Sequence, residues 1–335
     1  MITPAVSVII TCLNGRRWLD KCLPPLLDSS VKEFEVIFVD NGSSDGTLEH
    51  VTGHYADPRI VTKRLEKNRG FTGGSNYGAQ FAQSALLFFL SVDVVVQQDT
   101  LSTLMEGYRP EHGVLGPTVL NVASDDLGGE HSTIQVLDVF GYPANASHKK
   151  PFYIEGCAFL IGREKFLGSG GFDEGLETYA EDVDLCWRMW LQGYVNAIND
   201  NTRVYHYGGS SSVHYSSRGN TASTYYRRYH TAKNIVRNAL KNYQAHNVCW
   251  VVPGQIILLG MEALYYLTIG RNYRAFRNII AAVYWNVAHI PDTLAQRRAI
   301  QRLRHSPDRR IIRMMIRYPV VFEYFFRHGG PRYVR

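Results

Sequence analysis

The chain of 335 residues is long enough for one large domain with an additional segment, because domains average roughly 150 residues. With 45% hydrophobic and 20% charged residues, its composition is that of an ordinary globular enzyme. The net charge of +6 hides a division: residues 1–200 carry 15 Lys and Arg against 26 Asp and Glu, whereas residues 201–335 carry 21 against 4. The basic second part predicts an anionic partner, either a membrane surface or nucleic acid.

The five cysteines are scattered, odd in number and without a CxxC pair, which excludes a disulfide framework and a zinc site of the usual spacing. The chain enters a strand pattern at once, with no basic region ahead of an apolar one, so we expect no secretory signal. The sequence therefore predicts a protein of the cytoplasm, where thiols stay reduced.

The first part of the chain alternates between strands and helices. Short β-branched runs at Val6 to Ile10 and Glu35 to Val39 enclose a segment with apolar residues at helical spacing. Further apolar runs follow at residues 60–61, 86–90 and 114–115. This pattern predicts an α/β fold with a Rossmann-like, mostly parallel central sheet flanked by helices, and ligands beyond the carboxyl ends of the strands.

Polar side chains follow the first two strands. Thr11 and Asn14 come after the first, and Asp40 and Asn41 after the second, so both pairs should meet at one sheet edge. There they could bind a nucleobase and ribose, or they could form only a turn and a helix cap. The later segment NRGFTGGSNYGA (68–79) offers glycines and Arg69 to a phosphate, ahead of a helix beginning near Asn76, or it is a plain loop.

Asp93 is the only charge in the apolar run LLFFLSVDVVV and predicts a divalent cation at a strand end, although it could instead cap a helix near Asp99. His206 ends another short strand and could complete that metal site, or it could be purely structural. Glu181, Asp182 and Asp184 begin a helix predicted from near Tyr179. Such a carboxylate could be a general base, although acids at a helix start are also favoured by the helix dipole alone.

The second part has a different character. Residues 121–150 resemble a long loop or a region facing a second substrate, and residues 223–241 are basic without an acid. Residues 248–269 are apolar but interrupted by Pro253, Gln255 and Glu262, which favours one or two helices in the interface or on the core over a membrane span. Residues 271–335 hold 14 Arg and no Lys, typical of a basic amphipathic tail on anionic lipid.

In this order, these segments resemble the family 2 glycosyltransferases, in particular the rhamnosyltransferase-like branch. The resemblance runs from Val6 to His206 and implies a GT-A type fold. It implies Asp182 as catalytic base, with Glu181 as the competing choice, and a metal at Asp93 and His206, although LSVD keeps only the last Asp of the usual motif. The residues implied to bind the nucleotide are Thr11, Leu13, Asn14, Asp40, Asn41, Asn68, Arg69, Gly70, Gly74, Asn76 and Ser91.

The resemblance also implies an inverting transfer, assisted by Mg²⁺ or Mn²⁺, from dTDP-rhamnose or a UDP- or GDP-sugar to a glycan or polyisoprenyl-linked acceptor. We expect a catalytic domain over residues 1–210, a basic helical linker or acceptor region over 211–247, and amphipathic Arg-rich helices over 248–335. The expected location is the inner face of the cell membrane, bound peripherally and without nucleic acid. The alternatives are a nucleotidyltransferase, a catalytically silent relative, and a nucleic-acid-binding protein that uses the Arg-rich tail.

Overall fold

A computed structural model describes residues 3–122, 130–131, 135–145, 150–208, 223–322 and 333–334. The chain forms two compact units. Unit 1 comprises residues 1–132, 154–186 and 194–210, and unit 2 comprises residues 133–153, 187–193 and 211–335. Two short segments within the expected catalytic range, 133–153 and 187–193, therefore group with unit 2, and the roles expected for the three ranges stay predictions.

The secondary structure follows the alternation expected from the sequence. The strands are β1 (Val6–Cys12), β2 (Phe34–Asp40), β3 (Ile60–Arg64), β4 (Leu86–Leu90), β5 (Val94–Val96), β6 (His112–Asn121), β7 (Glu130–His131), β8 (Gln135–Leu137), β9 (Pro143–Asn145), β10 (Ala158–Gly162), β11 (Val195–His206), β12 (Ser223–Thr224) and β13 (Tyr333–Val334). The helices are α1 (Arg16–Leu27), α2 (Thr47–His54), α3 (Gly70–Ala79), α4 (Thr100–Gly107), α5 (Arg163–Gly168), α6 (Glu181–Leu191), α7 (Tyr225–Asn242), α8 (Ala245–Thr268), α9 (Tyr273–Ala288), α10 (Ile290–Arg302) and α11 (Asp308–Ile312).

Unit 1 is built on a nine-stranded sheet with the order β3-β2-β1-β4-β10-β6-β11-β5 and β7 paired to β6. The first four strands of this order are parallel, whereas β10 and β5 run antiparallel to their neighbours. All seven residues of β2 are buried, as expected for a strand covered on both faces. The α/β fold class predicted from the sequence is confirmed, with a mixed second half of the sheet.

Helix α3 begins at Gly70, so the prediction of a helix start near Asn76 was wrong. The Asn68 side chain accepts a hydrogen bond from the Gly70 amide at 2.8 Å, which satisfies a backbone donor at the helix start. Glycine inside this helix is explained by packing, because a Cβ on Gly78 would lie 2.9 Å from both Ile9 and Val39 side chains. Close approach of the helix to the sheet outweighs the low helix propensity of glycine.

Unit 2 is mainly helical. Its apolar core joins α7, α8 and α9 through residues that include Ile235, Leu259 and Ile279. The apolar stretch after residue 248 forms one continuous helix, α8. The predicted long loop over residues 121–150 contains the short strands β7, β8 and β9, and its residues 123–129, 132–134 and 146–149 lie outside the described residues, as do 323–332 and 335 of the basic tail.

Candidate active site

The ends of β1 and β2 lie side by side, as the parallel pattern predicted, because Cys12 is the register partner of Asp40. The Thr11 hydroxyl lies 3.0 Å from that of Ser75 on α3. Asn14 has a φ of 51°, a conformation that Asn tolerates better than most residues, and its side chain accepts a hydrogen bond from the Ser44 amide at 2.8 Å. The two predicted polar turns are therefore held together at one edge of the sheet.

Asn41 connects this edge to the start of α3. Its amide nitrogen donates to Asn68 Oδ1 at 3.0 Å and to the Gly70 carbonyl at 2.9 Å, and its oxygen accepts from the Arg69 amide at 3.0 Å. Gly74 packs closely against Thr11 at the same edge, since an added Cβ would lie 2.4 Å from Thr11 Cγ2. The structure thus brings these predicted residues together, and the hydrogen bonds of Asn41 hold the loop before α3 in place.

The remaining predicted nucleotide residues have varied surroundings. Asp40 is fully buried, accepts a hydrogen bond from the Ser43 amide at 3.0 Å and lies 3.4 Å from Arg64 Nε. Leu13 is 36% exposed, and Ser91 follows β4, where its amide donates to the Cys157 carbonyl at 2.8 Å.

Arg69 and Asn76 contact the segment GGFDE at residues 170–174, which precedes α6. Arg69 forms an ion pair with Glu174 at 2.7 Å, and the Asn76 side chain exchanges two hydrogen bonds with the Phe172 backbone at 2.9 and 2.8 Å. Both side chains therefore position the chain that leads to α6, a role that their sequence motif did not suggest.

Asp93 and His206 come together as expected from the sequence, with 3.4 Å between Asp93 Oδ2 and His206 Nε2. Potential ligand atoms of Glu155, Cys157 and His206 lie within 4.8 Å of one another. Burial lowers the pKa of His206, but its hydrogen bond to the Asp93 carboxylate and the charges of Asp93 and Glu155 outweigh burial and raise that pKa overall. These carboxylates therefore create a negative potential at His206, which favours a cation.

The chemistry of these side chains fits a hard divalent metal. Carboxylates such as Asp93 and Glu155 suit Mg²⁺ and Mn²⁺, and an imidazole is accepted by Mn²⁺. Burial raises the pKa of the Cys157 thiol well above its usual range. A soft sulfur ligand is also less suited to Mg²⁺ or Mn²⁺ than the carboxylates are.

Glu155 was missed in the sequence analysis. It precedes β10, and β10 is antiparallel to β4, with Ala158 opposite Leu90. The residues before β10 therefore lie beside those that follow β4, where Asp93 is found. Its signal in the sequence was a carboxylate just ahead of the apolar run CAFLI.

Asp182 lies in the first turn of α6. Its Oδ2 accepts a hydrogen bond from the Gly156 amide at 3.0 Å, and its Oδ1 accepts from the Val183 amide at 2.7 Å. Gly156 lies between Glu155 and Cys157 in the chain. The segment that contributes these two potential ligands therefore also forms a hydrogen bond with the proposed base.

Glu181 is buried at 9% exposure, and its Oε2 accepts no hydrogen bond from the described residues. Burial raises the pKa of both Glu181 and Asp182, and the charge of Asp182 raises that of Glu181 further. Tyr179 and Ala180, directly before α6, have φ angles of 64° and 60°, which is strained backbone for residues with a side chain. Perturbed carboxyl groups beside strained backbone are typical of active sites.

The sheet order, the polar strand ends and the carboxylate cluster define a GT-A type glycosyltransferase fold. Two solved structures share it: a mannosyltransferase from Pyrobaculum calidifontis in complex with GDP-Man and Mn²⁺, and GalNAc-T7 with UDP, GalNAc and Mn²⁺. Their TM-scores are 0.55 and 0.59, each at 17% identity, covering 86% and 85% of this chain and 88% and 57% of theirs.

Residues 7–166 match the model of the family described as Glycosyl transferase family 2, and this part of the chain belongs to that family. A poly-beta-1,6-N-acetyl-D-glucosamine synthase from Staphylococcus aureus is 24% identical over 195 residues, which cover 56% of this chain and 46% of the synthase. The matched segment thus spans about half the length of that relative. The family suggested by the sequence motifs is confirmed.

Proposed function

We propose that the chain is an inverting glycosyltransferase that moves a sugar from a nucleoside-diphosphate sugar to a hydroxyl group of a glycan or lipid-linked acceptor. The observation that carries this proposal is the hydrogen bond from the Gly156 amide to Asp182, because Gly156 lies between Glu155 and Cys157, whose ligand atoms cluster with those of His206. Asp93 lies 3.4 Å from His206 in the same site. A base next to a cation site suits a reaction in which one group loses a proton while a diphosphate leaves.

In the proposed reaction, the acceptor oxygen attacks the anomeric carbon, and its proton passes to the Asp182 carboxylate. The bond between the anomeric carbon and the phosphate oxygen breaks, and its electron pair stays on the departing nucleoside diphosphate. A divalent cation held by Asp93, Glu155 and His206 would neutralise that leaving group. Because attack and departure are on opposite faces of the sugar, the anomeric configuration is inverted.

The donor-side assignment rests on the sheet edge formed by Thr11, Asn14, Asp40 and Asn41. The two structural neighbours bind GDP-Man, or UDP and GalNAc, with Mn²⁺, and the synthase relative supports a polysaccharide product. For this chain the donor candidates are dTDP-rhamnose, a UDP-sugar and a GDP-sugar. We place the reaction at the cytoplasmic face of a membrane, where a polyisoprenyl-linked acceptor would be found.

The test is a proton NMR time course of dTDP-rhamnose, UDP-GlcNAc and GDP-mannose, each with the protein, Mn²⁺ and a polyisoprenyl-diphosphate glycan acceptor. We expect turnover of one donor and a product with the inverted anomeric configuration. The Asp182→Asn variant is the control for chemistry that depends on the proposed base. Retention of configuration would contradict the single displacement, and the absence of any turnover would favour the catalytically silent relative.

A further inference from the structure

The outward side of α8 is apolar along almost its whole length. Between Cys249 and Thr268 no exposed position carries Asp, Glu, Lys or Arg. We call the following residues the apolar face, with the exposed fraction of each: Trp250 45%, Ile256 37%, Ile257 63%, Met261 52%, Leu264 58% and Leu267 46%. From Ile257 onward the intervals are four, three and three residues, which puts these side chains on one side of the helix, and Trp250 and Ile256 fall on the same side at about 100° per residue. A contiguous exposed patch of this kind marks an interaction surface.

The buried side of α8 is mixed, because it packs Leu258, Leu259 and Ala263 into the apolar core of unit 2 and also carries Gln255 and Glu262. Gln255 Nε2 donates to the carbonyls of Phe140 and Ile235 at 2.8 and 3.0 Å, and Glu262 Oε1 accepts from Arg228 Nε at 2.7 Å. A helix at a water-exposed surface normally carries polar residues on its outward side. Here the outward side is apolar as well, and the polar groups Gln255 and Glu262 find their partners inside unit 2.

Helix α9 packs against α8 and exposes further apolar side chains. Ala275, Ile279 and Ala282 are buried in the same core as Leu259 and Ala263 of α8. Tyr284 and Val287 of α9 are exposed by 70% and 65%. The two helices together present more apolar surface than α8 alone.

The charged residues near these helices are mostly basic. Arg271, Arg274 and Arg277, between α8 and the first turns of α9, are all exposed. Among residues 223–322 the acids are Glu262, Asp292 and Asp308, of which Glu262 and Asp308 are buried and Asp292 pairs with Arg237 at 2.6 Å. Exposed arginines with few competing acids complement anionic headgroups, at about 1 kcal/mol for each basic residue near the membrane surface.

We propose that the apolar face of α8 lies in the headgroup and acyl boundary of an anionic bilayer, with Arg271, Arg274 and Arg277 at the lipid phosphates. The 24 residues of α8 are long and apolar enough to cross a membrane by length and composition. Because Gln255 and Glu262 are held by partners within unit 2, the helix lies along the interface instead of spanning it. This inference rests on the proposed function in one respect, since it brings the protein to a lipid-linked acceptor.

The experiment is flotation of the full chain with vesicles of phosphatidylcholine alone or with phosphatidylglycerol, without nucleotide or acceptor. We expect flotation with the anionic vesicles and a loss of at least about tenfold in partitioning for the Ile257→Glu/Met261→Glu variant. The matched control is Leu167→Glu, which changes a leucine of 44% exposure in unit 1 and should float like the parent protein. The Arg274→Glu/Arg277→Glu variant should lose the preference for anionic vesicles.

Trp250 provides a second measurement, because its emission should shift to shorter wavelength on anionic vesicles and the shift should vanish in Trp250→Phe. Sedimentation without lipid tests the alternative that a second copy of the chain covers this face. A dimer that Ile257→Glu/Met261→Glu converts to monomers would make this face a protein interface and overturn the proposal. Failure of the parent protein to float, or an equal loss in Leu167→Glu, would also overturn it. No donor is present, so these outcomes are independent of sugar transfer.

Discussion

The two units distribute their polar residues in opposite ways. In unit 1, strands such as β2 are buried along their whole length and polar groups collect where strands end, as with Asp40 and Asp93. In unit 2, α7 buries Lys233 and Arg237 while α8 exposes Ile257 and Met261. The first arrangement collects polar, potentially reactive side chains at one edge of a sheet. The second arrangement suits a surface that contacts an apolar partner such as the lipid of a membrane. The variants below test this contrast, from the largest expected effect to the smallest.

Replacing the proposed base should have the largest effect. Asp182→Asn keeps the shape of the side chain but cannot accept the acceptor proton, so we expect turnover to fall by about 10²–10⁴-fold. The measurement is nucleoside diphosphate release under saturating donor, with circular dichroism to check folding. Turnover within a few-fold of the parent protein would remove Asp182 from the chemistry.

Breaking the buried ion pair of unit 2 should cost stability. Glu262→Ala leaves the Arg228 guanidinium, which is 9% exposed, without its carboxylate partner, and we expect a loss of about 3–5 kcal/mol in the free energy of unfolding. The matched control is the neighbouring exposed position: Met261→Ala should change it by about 0.5 kcal/mol or less. Urea unfolding measures both free energies. Equal losses in the two variants would contradict a stabilising role for the buried Arg228–Glu262 ion pair.

Close packing of α3 on the sheet requires a residue without a side chain at Gly74. Gly74→Ala should destabilise unit 1 by about 1–3 kcal/mol, because the new methyl group would overlap Thr11 Cγ2. Gly53→Ala in α2 is the control, since a Cβ there has no heavy atom within 4 Å, and it should stabilise by about 0.5–1 kcal/mol. Thermal unfolding distinguishes them, and partial rescue of Gly74→Ala by Thr11→Ser would identify the clashing group.

The pH profile distinguishes Asp182 from Glu181. Burial raises the pKa of Asp182 to about 6, so the rate should fall as pH drops through about 6 and the base becomes protonated. Burial and the charge of Asp182 raise the pKa of Glu181 above its usual range, which favours the neutral form of this side chain, so Glu181→Gln should keep most activity. A loss in Glu181→Gln as large as that in Asp182→Asn would make Glu181 the base.

Parallel neighbours and strand ends could be predicted from the sequence, whereas antiparallel neighbours and exposed faces could not. Thr11 and Asp40 were expected at one edge because consecutive parallel strands end together, and the observed register pairs Thr11 with Val39 and Cys12 with Asp40. Glu155 was not predicted because the antiparallel pairing of β10 with β4, which brings the segment before β10 to the segment after β4, could not be derived from the sequence. For residues 248–269 the sequence left two placements open, in the interface or on the core, because an apolar run does not tell which side of the helix finds partners.

Calorimetric titration of the protein with UDP, dTDP and GDP, each with and without Mn²⁺, tests most directly whether unit 1 is a metal-dependent nucleotide-sugar site. We predict that one diphosphate binds with Mn²⁺ and that Asp93→Ala weakens this binding by about tenfold or more, or roughly 1.4 kcal/mol. If no diphosphate binds under any condition, or if Asp93→Ala binds as tightly as the parent protein, the proposed site is contradicted.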